Sequence, residues 1–286
     1  MFYDCSPFNN ENLIAKIKIN ENKSSGIHTC VTESNKTFRY DNKNYAFSLE
    51  CDNSYLTYHK VDGNQLFVGK KIRISRKPWF IKYDVNPWTN EAIQRNLACS
   101  FLDVKDDDTI ILSDIDEIID QRVFPDLIEL TKKHGIITIG LRFTLFYLNL
   151  FSKNWPGPER YSYRVFLMTG KVFKSLKMTS DQLRKKGEAG KLINEIYCHD
   201  GYSGFHHSWL GDIDFVKNKL LSYAHSKDDH VGSIFMPNGD VDMCSLKKYI
   251  LGGKSIFPNH QLYVDDSVPQ LNSIAKDHES FTQYFI

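Results

Sequence analysis

The sequence predicts an α/β fold in which a mostly parallel central sheet is flanked by helices. Three observations lead there. Apolar, β-branched segments alternate with amphipathic ones through the first two-thirds of the 286 residues. The segment "TIIL" is apolar on both faces, as a strand covered on both sides must be. A length of 286 residues and a hydrophobic content of 41% suit a globular protein with a real core. The expected organisation is a catalytic-sized domain over residues 1–230 and a C-terminal extension, 231–286, packed on it.

"MFYDC" opens as a strand, "NENLIAKIKIN" as a helix, and "GIHTCVTES" as a second strand ending at Glu33 and Ser34. Residues 35–64 are polar and without strong period, which predicts a loop region before the strand "KKIRIS". Thr89 or Asn90 can cap a helix whose Ile93, Leu97, Phe101 and Val104 share a face, leaving Arg95 off it. "TIILS" is the next strand, and "VFPDLIELTKKHG" a helix stopped by Gly135. "GIITIGLRFTLFYLNL" predicts one long or two short buried strands, broken by Gly140, Arg142 and Asn149. After the loop "NWPGPER" come the strand "YSYRVFLMTG", a helix around "SDQLRKKG", the strand-like "EIYCHDGYSGFHHSWLG" and the helix "DIDFVKNKLLSYAH". Short helices near "SLKKYILGG" and beyond Pro269 close the chain.

Charge and cysteines narrow the partners. Thirty-six basic residues against thirty-five acidic ones give a net charge of +1, so nothing points to nucleic acid or an anionic membrane. The six cysteines are scattered without CxxC pairs, which suits a reducing cytoplasm. No apolar run approaches the roughly 18 residues of a membrane span, and the N-terminus lacks a basic flank and apolar signal core. The expectation is a soluble cytoplasmic protein with no transmembrane segment.

The chemistry gathers in "DDDTIILSDIDEIID". An apolar strand followed at once by acids delivers them to the carboxyl edge of a sheet, where open α/β folds bind ligands. If the extended conformation persists, Asp114 and Asp116 point to one side and Ile115 packs behind them. Two such oxygens suit Mg²⁺ or Mn²⁺, whose shell phosphate oxygens can complete. A solvated strand end with Glu117 or Asp120 favouring the next helix is the plainer alternative. Neighbouring His206 and His207 would face opposite ways on a strand, so one of them can meet such a site. Arg95 can pair with phosphate, Glu33 and Thr37 lie past a strand on the same edge, and Trp88, Trp155 and Trp209 offer flat faces to sugars. Each of these also has an ordinary reading as a surface, turn or core residue.

In order, "YDCSPFNNE", "VTESNKTF", "NEAIQRN", "DDDTIILSDIDEI" and "GYSGFHHSWLG" followed by "KLLSYAH" resemble segments of glycosyltransferase family 17, over about residues 3 to 225. That family includes a β-1,4-mannosyl-glycoprotein β-1,4-N-acetylglucosaminyltransferase. The resemblance implies a GT-A type fold, a nucleotide-sugar donor, a glycan acceptor and a divalent metal, Mn²⁺ or Mg²⁺, bridging an Asp-x-Asp motif to the donor diphosphate. The donor would be UDP-linked and carry N-acetylglucosamine or another hexose or pentose. Carried over, the motif is Asp114 and Asp116 with Glu117 following; His206 joins the metal ligands, and Glu33, Thr37 and Arg95 belong to the donor site. Trp155 and Trp209 are the expected acceptor contacts. Where the family reads Asp-Glu-Ile-Pro, this chain ends in Ile119, and residues 155–191 match poorly.

An inverting transfer also needs a carboxylate to take the acceptor's proton. Asp200, preceding the glycine-rich "GYSGFHH", is the expected base, ahead of Asp181, Glu188 and Glu195. Two alternatives stand beside the transferase. A haloacid-dehalogenase-like phosphatase also places Asp-x-Asp after an apolar strand, but wants a small hydroxyl residue near the position of Ile118. A non-catalytic carbohydrate-binding protein would use the aromatics and a bound cation without turnover.

Overall fold

The computed structural model describes residues 1–49, 54–66, 69–73, 81–85, 87–153, 161–188, 196–222, 234, 236, 240–253, 255 and 261–286. The chain begins β1 (Phe2–Phe8), α1 (Asn12–Ser24), β2 (Ile27–Ser34), β3 (Leu56–Val61) and α2 (Gly63–Leu66). An antiparallel pair, β4 (Gly69–Arg73) and β5 (Ile81–Val85), stands apart from the main sheet. There follow α3 (Pro87–Leu97), β6 (Thr109–Leu112), β7 (Glu117–Ile119), α4 (Phe124–His134), β8 (Ile136–Leu145), β9 (Leu150–Ser152) and β10 (Tyr161–Thr169). The remainder is α5 (Gly170–Ser175), α6 (Ser180–Glu188), β11 (Tyr197–Ser208), α7 (Ile213–Ser222), α8 (Met243–Leu251), β12 (Leu262–Val264), α9 (Asn272–Ala275) and α10 (His278–Phe281).

Helices flank one large sheet of order β12-β9-β8-β10-β6-β1-β2-β3, so the α/β class holds. Its first half, β3-β2-β1-β6, is parallel. Its second half turns antiparallel at β10, which pairs with both β6 and β8. Strand β11 runs parallel to β8 and also meets the short β7 in antiparallel register. That last pairing matters most, because it brings His206 opposite Glu117.

The "TIIL" strand is buried on both faces as its composition requires: Ile111 packs with Ile27, Leu127 and Ile137, and Ile110 with Cys5, Phe166 and Leu183. Another core joins Phe8, Ile14, Ile17, Val31, Ile118 and Phe205 to Leu271, Ile274 and Phe281 near the end of the chain. With β12 paired to β9, the described C-terminal residues are thus built into the sheet and its packing. No helix among the described residues is long and apolar enough to cross a membrane.

Several local expectations are corrected. Within the stretch expected to be loop, residues 56–61 add β3 beside β2, a strand whose polar Thr57, His59 and Lys60 disguised it as loop. Helix α3 ends at Leu97 and buries Asn90, Gln94 and Arg95 rather than the apolar stripe. Phe101 is exposed. Polar groups win that face because the sheet edge offers them partners: Gln94 Nε2 donates to the carbonyls of Phe8 (2.9 Å) and Thr32 (3.0 Å).

Gly204 shows how tightly β11 meets β7. Its φ is +144°, and a Cβ there would lie 2.1 Å from the Ile118 carbonyl oxygen. Gly204→Ala is expected to lower the thermal midpoint and displace His206 two residues on; an unchanged melting curve would show that the two strands have slack.

Candidate active site

Strand β6 ends at Leu112, and the chain turns instead of continuing extended. Asp114 N donates to Glu117 Oε2 (2.7 Å) and Glu117 N to the Asp114 carbonyl (3.1 Å), closing the turn on itself. The expected alternation of Asp114 and Asp116 on an extended strand is therefore corrected: a turn, not a pleat, aims them. Ile115 is buried behind, as expected.

Beneath the turn lies Lys18, fully buried on α1. Its Nζ donates to Ser113 Oγ (2.6 Å) and to the carbonyls of Asp114 and Glu117 (both 2.9 Å), and pairs with Asp4 Oδ2 at 3.2 Å. One ammonium thus fixes the backbone of the acidic turn. Lys18→Met would leave Asp4 and two carbonyls without this donor, and is expected to cost about 3–5 kcal/mol in denaturant unfolding, the usual consequence of breaking a buried pair. A loss below about 1 kcal/mol would contradict that role.

Asp114 is gripped from two sides. Arg95 donates from Nε to Oδ1 (3.0 Å) and from Nη2 to Oδ2 (3.2 Å), while Arg184 Nη2 reaches Oδ2 at 2.8 Å. Burial alone would raise its carboxyl, but Arg184, Arg95 and His206 outweigh burial and hold it well below the carboxylate range. Arg95 also binds Asp181 (2.9 Å) and Glu91 (2.7 Å), and Arg184 binds both oxygens of the fully buried Glu117 (2.9 and 3.0 Å). Arg184 is absent from the sequence reading. The signal was available, since Asp181 and Arg184 sit three apart on α6 and so share a face.

Asp116 has different company. Its Oδ2 is 3.4 Å from His206 Nε2 and 3.8 Å from Lys219 Nζ. Burial pushes its carboxyl up, and His206 and Lys219 more than reverse that. His206 Nδ1 has no hydrogen-bond partner and lies 3.9 Å from Glu117 Oε1. His207 faces the other way as expected, with Nδ1 against Thr144 Oγ1 at 2.7 Å, and burial pushes its imidazole down to about 3.

Could this turn hold a divalent cation? Among the described residues no group of three or more His, Cys, Asp or Glu converges as metal ligands. Asp114 and Glu117 have their oxygens committed to guanidinium groups. Asp116 Oδ2 and His206 Nε2, however, stand 3.4 Å apart, about the separation of two adjacent ligands on one ion. Two donors fit a Mg²⁺ or Mn²⁺ ion whose remaining ligands are water and phosphate. Of the three residues expected to hold a metal, Asp116 and His206 are the two whose oxygen and nitrogen are not taken up by guanidinium groups.

The other expected residues lie elsewhere. Glu33 is fully buried, and its oxygens accept from Tyr58 Oη (2.6 Å), Ala46 N (2.9 Å), Phe47 N (3.1 Å) and Lys43 Nζ. Those partners fold the 43–47 segment onto β2, and none belongs to the acidic turn. Thr37 closes a turn with Asp41, whose N donates to Thr37 Oγ1 at 3.1 Å. Asp200 is exposed near the start of β11, between residues level with Ile139 and Gly140, whereas His206 is level with Phe143. The two are separated by roughly 10–13 Å along the sheet at about 3.3 Å per residue. Asp181 is taken by Arg95 and Lys185, and Glu188 by Arg164 and Arg184. Glu195 and Trp155 lie outside the described residues. Trp209 is 3% exposed, edge-on to Phe146 and with Lys219 over its ring at 5.4 Å, so its faces are not open to a sugar.

Comparison with known proteins bears on the same segment. The model of glycosyltransferase family 17 matches residues 1–169, which include Arg95, Asp114, Asp116 and Glu117 but not Arg184, His206 or Lys219. Curated protein sequences give no match. Among solved structures the chain is similar to the crystal structure of S. aureus TarS 1-349, at 12% identity over 88% of this chain and 70% of that one, with a TM-score of 0.35. A likeness that slight carries no weight here.

Proposed function

The chain belongs to glycosyltransferase family 17, and on that premise we propose that the acidic turn receives the diphosphate of a UDP-linked sugar, with Mn²⁺ or Mg²⁺, for inverting transfer to a glycan hydroxyl. The observation that carries this reading is the facing pair Asp116 and His206 inside a connected charge set rich in acid. Glu11, Glu91, Asp114, Asp116, Glu117, Asp181 and Glu188 outnumber Arg95, Arg164, Arg184, Lys185 and Lys219. A diphosphate would be repelled there without a further cation.

Asp116 and His206 would hold that ion, and when bound it supplies charge stabilisation for the departing diphosphate. The protein's own groups do the rest. Arg95 and Arg184 clamp Asp114 and Glu117, which keeps the turn rigid. Lys219, over Trp209 and paired with Glu11, adds a positive charge beside Asp116. The phosphatase alternative would need Asp114 as nucleophile, yet both its oxygens already accept from guanidinium groups.

The test is thermal unfolding of the full chain with MnCl₂, UDP and both together. The midpoint is expected to rise clearly only with both, by ligand linkage, and release of UDP from UDP-sugars should follow. No shift with UDP and Mn²⁺ together would overturn the nucleotide-sugar reading, and phosphate release from a phosphomonoester in its place would restore the phosphatase.

A further inference from the structure

A cleft of about 340 Å³ opens between the start of α1 and the start of α7, lined by Asn10, Glu11 and Asn12 on one side and Asp212, Phe215 and Asn218 on the other. Amides and carboxylates around an aromatic ring match the many hydroxyls and apolar faces of a sugar, whereas carboxylates repel a phosphate. The cleft adjoins the acidic turn through one residue. Lys219 Nζ lies 2.5 Å from Glu11 Oε1 and 3.8 Å from Asp116 Oδ2, so the two carboxylates stand one ammonium apart. The sequence analysis singles out no role for Glu11, which closes the "YDCSPFNNE" segment and falls inside the helix expected from "NENLIAKIKIN".

Resting on the transferase reading, we propose that this cleft takes the acceptor sugar and that Glu11 removes the proton from its attacking hydroxyl. The acceptor oxygen forms the bond to the anomeric carbon, and the bond from that carbon to the diphosphate oxygen breaks with its electron pair leaving on the nucleotide. The hydroxyl proton passes to the Glu11 carboxylate and from there to solvent. Lys219 is a positioning residue: it orients Glu11 toward the cleft and keeps it apart from Asp116. Glu11 has the character of a base, since burial pushes its carboxyl up against the opposing pull of Lys219. The exposed Asp200 has no such connection to the turn.

The experiment uses the full chain with Mn²⁺ and a panel of UDP-N-acetylglucosamine, UDP-glucose, UDP-galactose and UDP-xylose, with methyl glycosides and water as acceptors. Glu11→Gln is expected to bind UDP within about two-fold of the wild type and to release it from the best donor at least about 100-fold more slowly, the lower end for loss of a general base. Sodium azide, which has no proton to remove, is expected to restore release in Glu11→Ala and yield the glycosyl azide; a merely structural role for Glu11 would give no such rescue. Undiminished turnover in Glu11→Gln would overturn the proposal. So would UDP affinity falling in step with turnover and no azide product, which would place the nucleotide's ribose in the cleft. If the wild type fails to bind UDP, the transferase reading itself has failed; if it binds UDP but releases none from any donor, catalysis and this role for Glu11 fall together.

Discussion

Asp116→Asn is expected to fold like the wild type and to lose Mn²⁺-dependent UDP binding by more than the roughly 10–100-fold that loss of a supporting group beside a metal costs. Asparagine keeps the shape of aspartate, and the structural duty of this residue, accepting the His207 N–H at 2.9 Å, belongs to its backbone carbonyl. What disappears is the charge facing His206. Lys219 keeps Glu11 as a partner, so no buried ammonium is stranded. Titration calorimetry of UDP in Mn²⁺, beside a melting curve, separates the two effects. Affinity within a few-fold of the wild type would remove Asp116 from the cation site.

The second large effect is on stability. Arg184→Met is expected to cost about 3–5 kcal/mol in denaturant unfolding, because it strands Glu117, fully buried, and takes one of two guanidinium partners from Asp114. Adding Glu117→Leu should recover part of that loss, since the cost comes from the uncompensated charge rather than from lost volume. The double variant is also expected to lose UDP binding, because the turn that Glu117 closes onto Asp114 N is gone. A single variant as stable as the wild type would mean that water already reaches Glu117.

Much of this molecule is readable from its sequence where one physical signal dominates. Strands β2 and β6 announce themselves by their β-branched residues, β1 and β10 by aromatic and apolar ones, and helix α4 by its period and by Gly135, whose φ of +78° suits a helix stop. The Asp-x-Asp segment was legible because an apolar strand must end somewhere, and its end carries acids. The readings that failed are those in which a polar side chain is buried by long-range pairing. Lys18 looks like one of several lysines on an amphipathic helix, yet four oxygens from β1 and the acidic turn neutralise it. Arg95 was assigned to the exposed side of α3 because periodicity sees apolar residues only, and three carboxylates from two other elements and its own helix make the buried side tolerable. Apart from Glu91 on the same helix, these partners lie 14 to 99 residues away in the chain and leave no local pattern.

The most direct test is a crystal soaked with MnCl₂ and UDP and measured at the manganese edge. One anomalous peak at coordination distance, roughly 2–2.4 Å, from both Asp116 Oδ and His206 Nε2, with diphosphate oxygens completing its shell, is the expected result. A bound nucleotide whose manganese sits away from both residues, or UDP held with Asp116 and His206 still in direct contact and no metal between them, would contradict it.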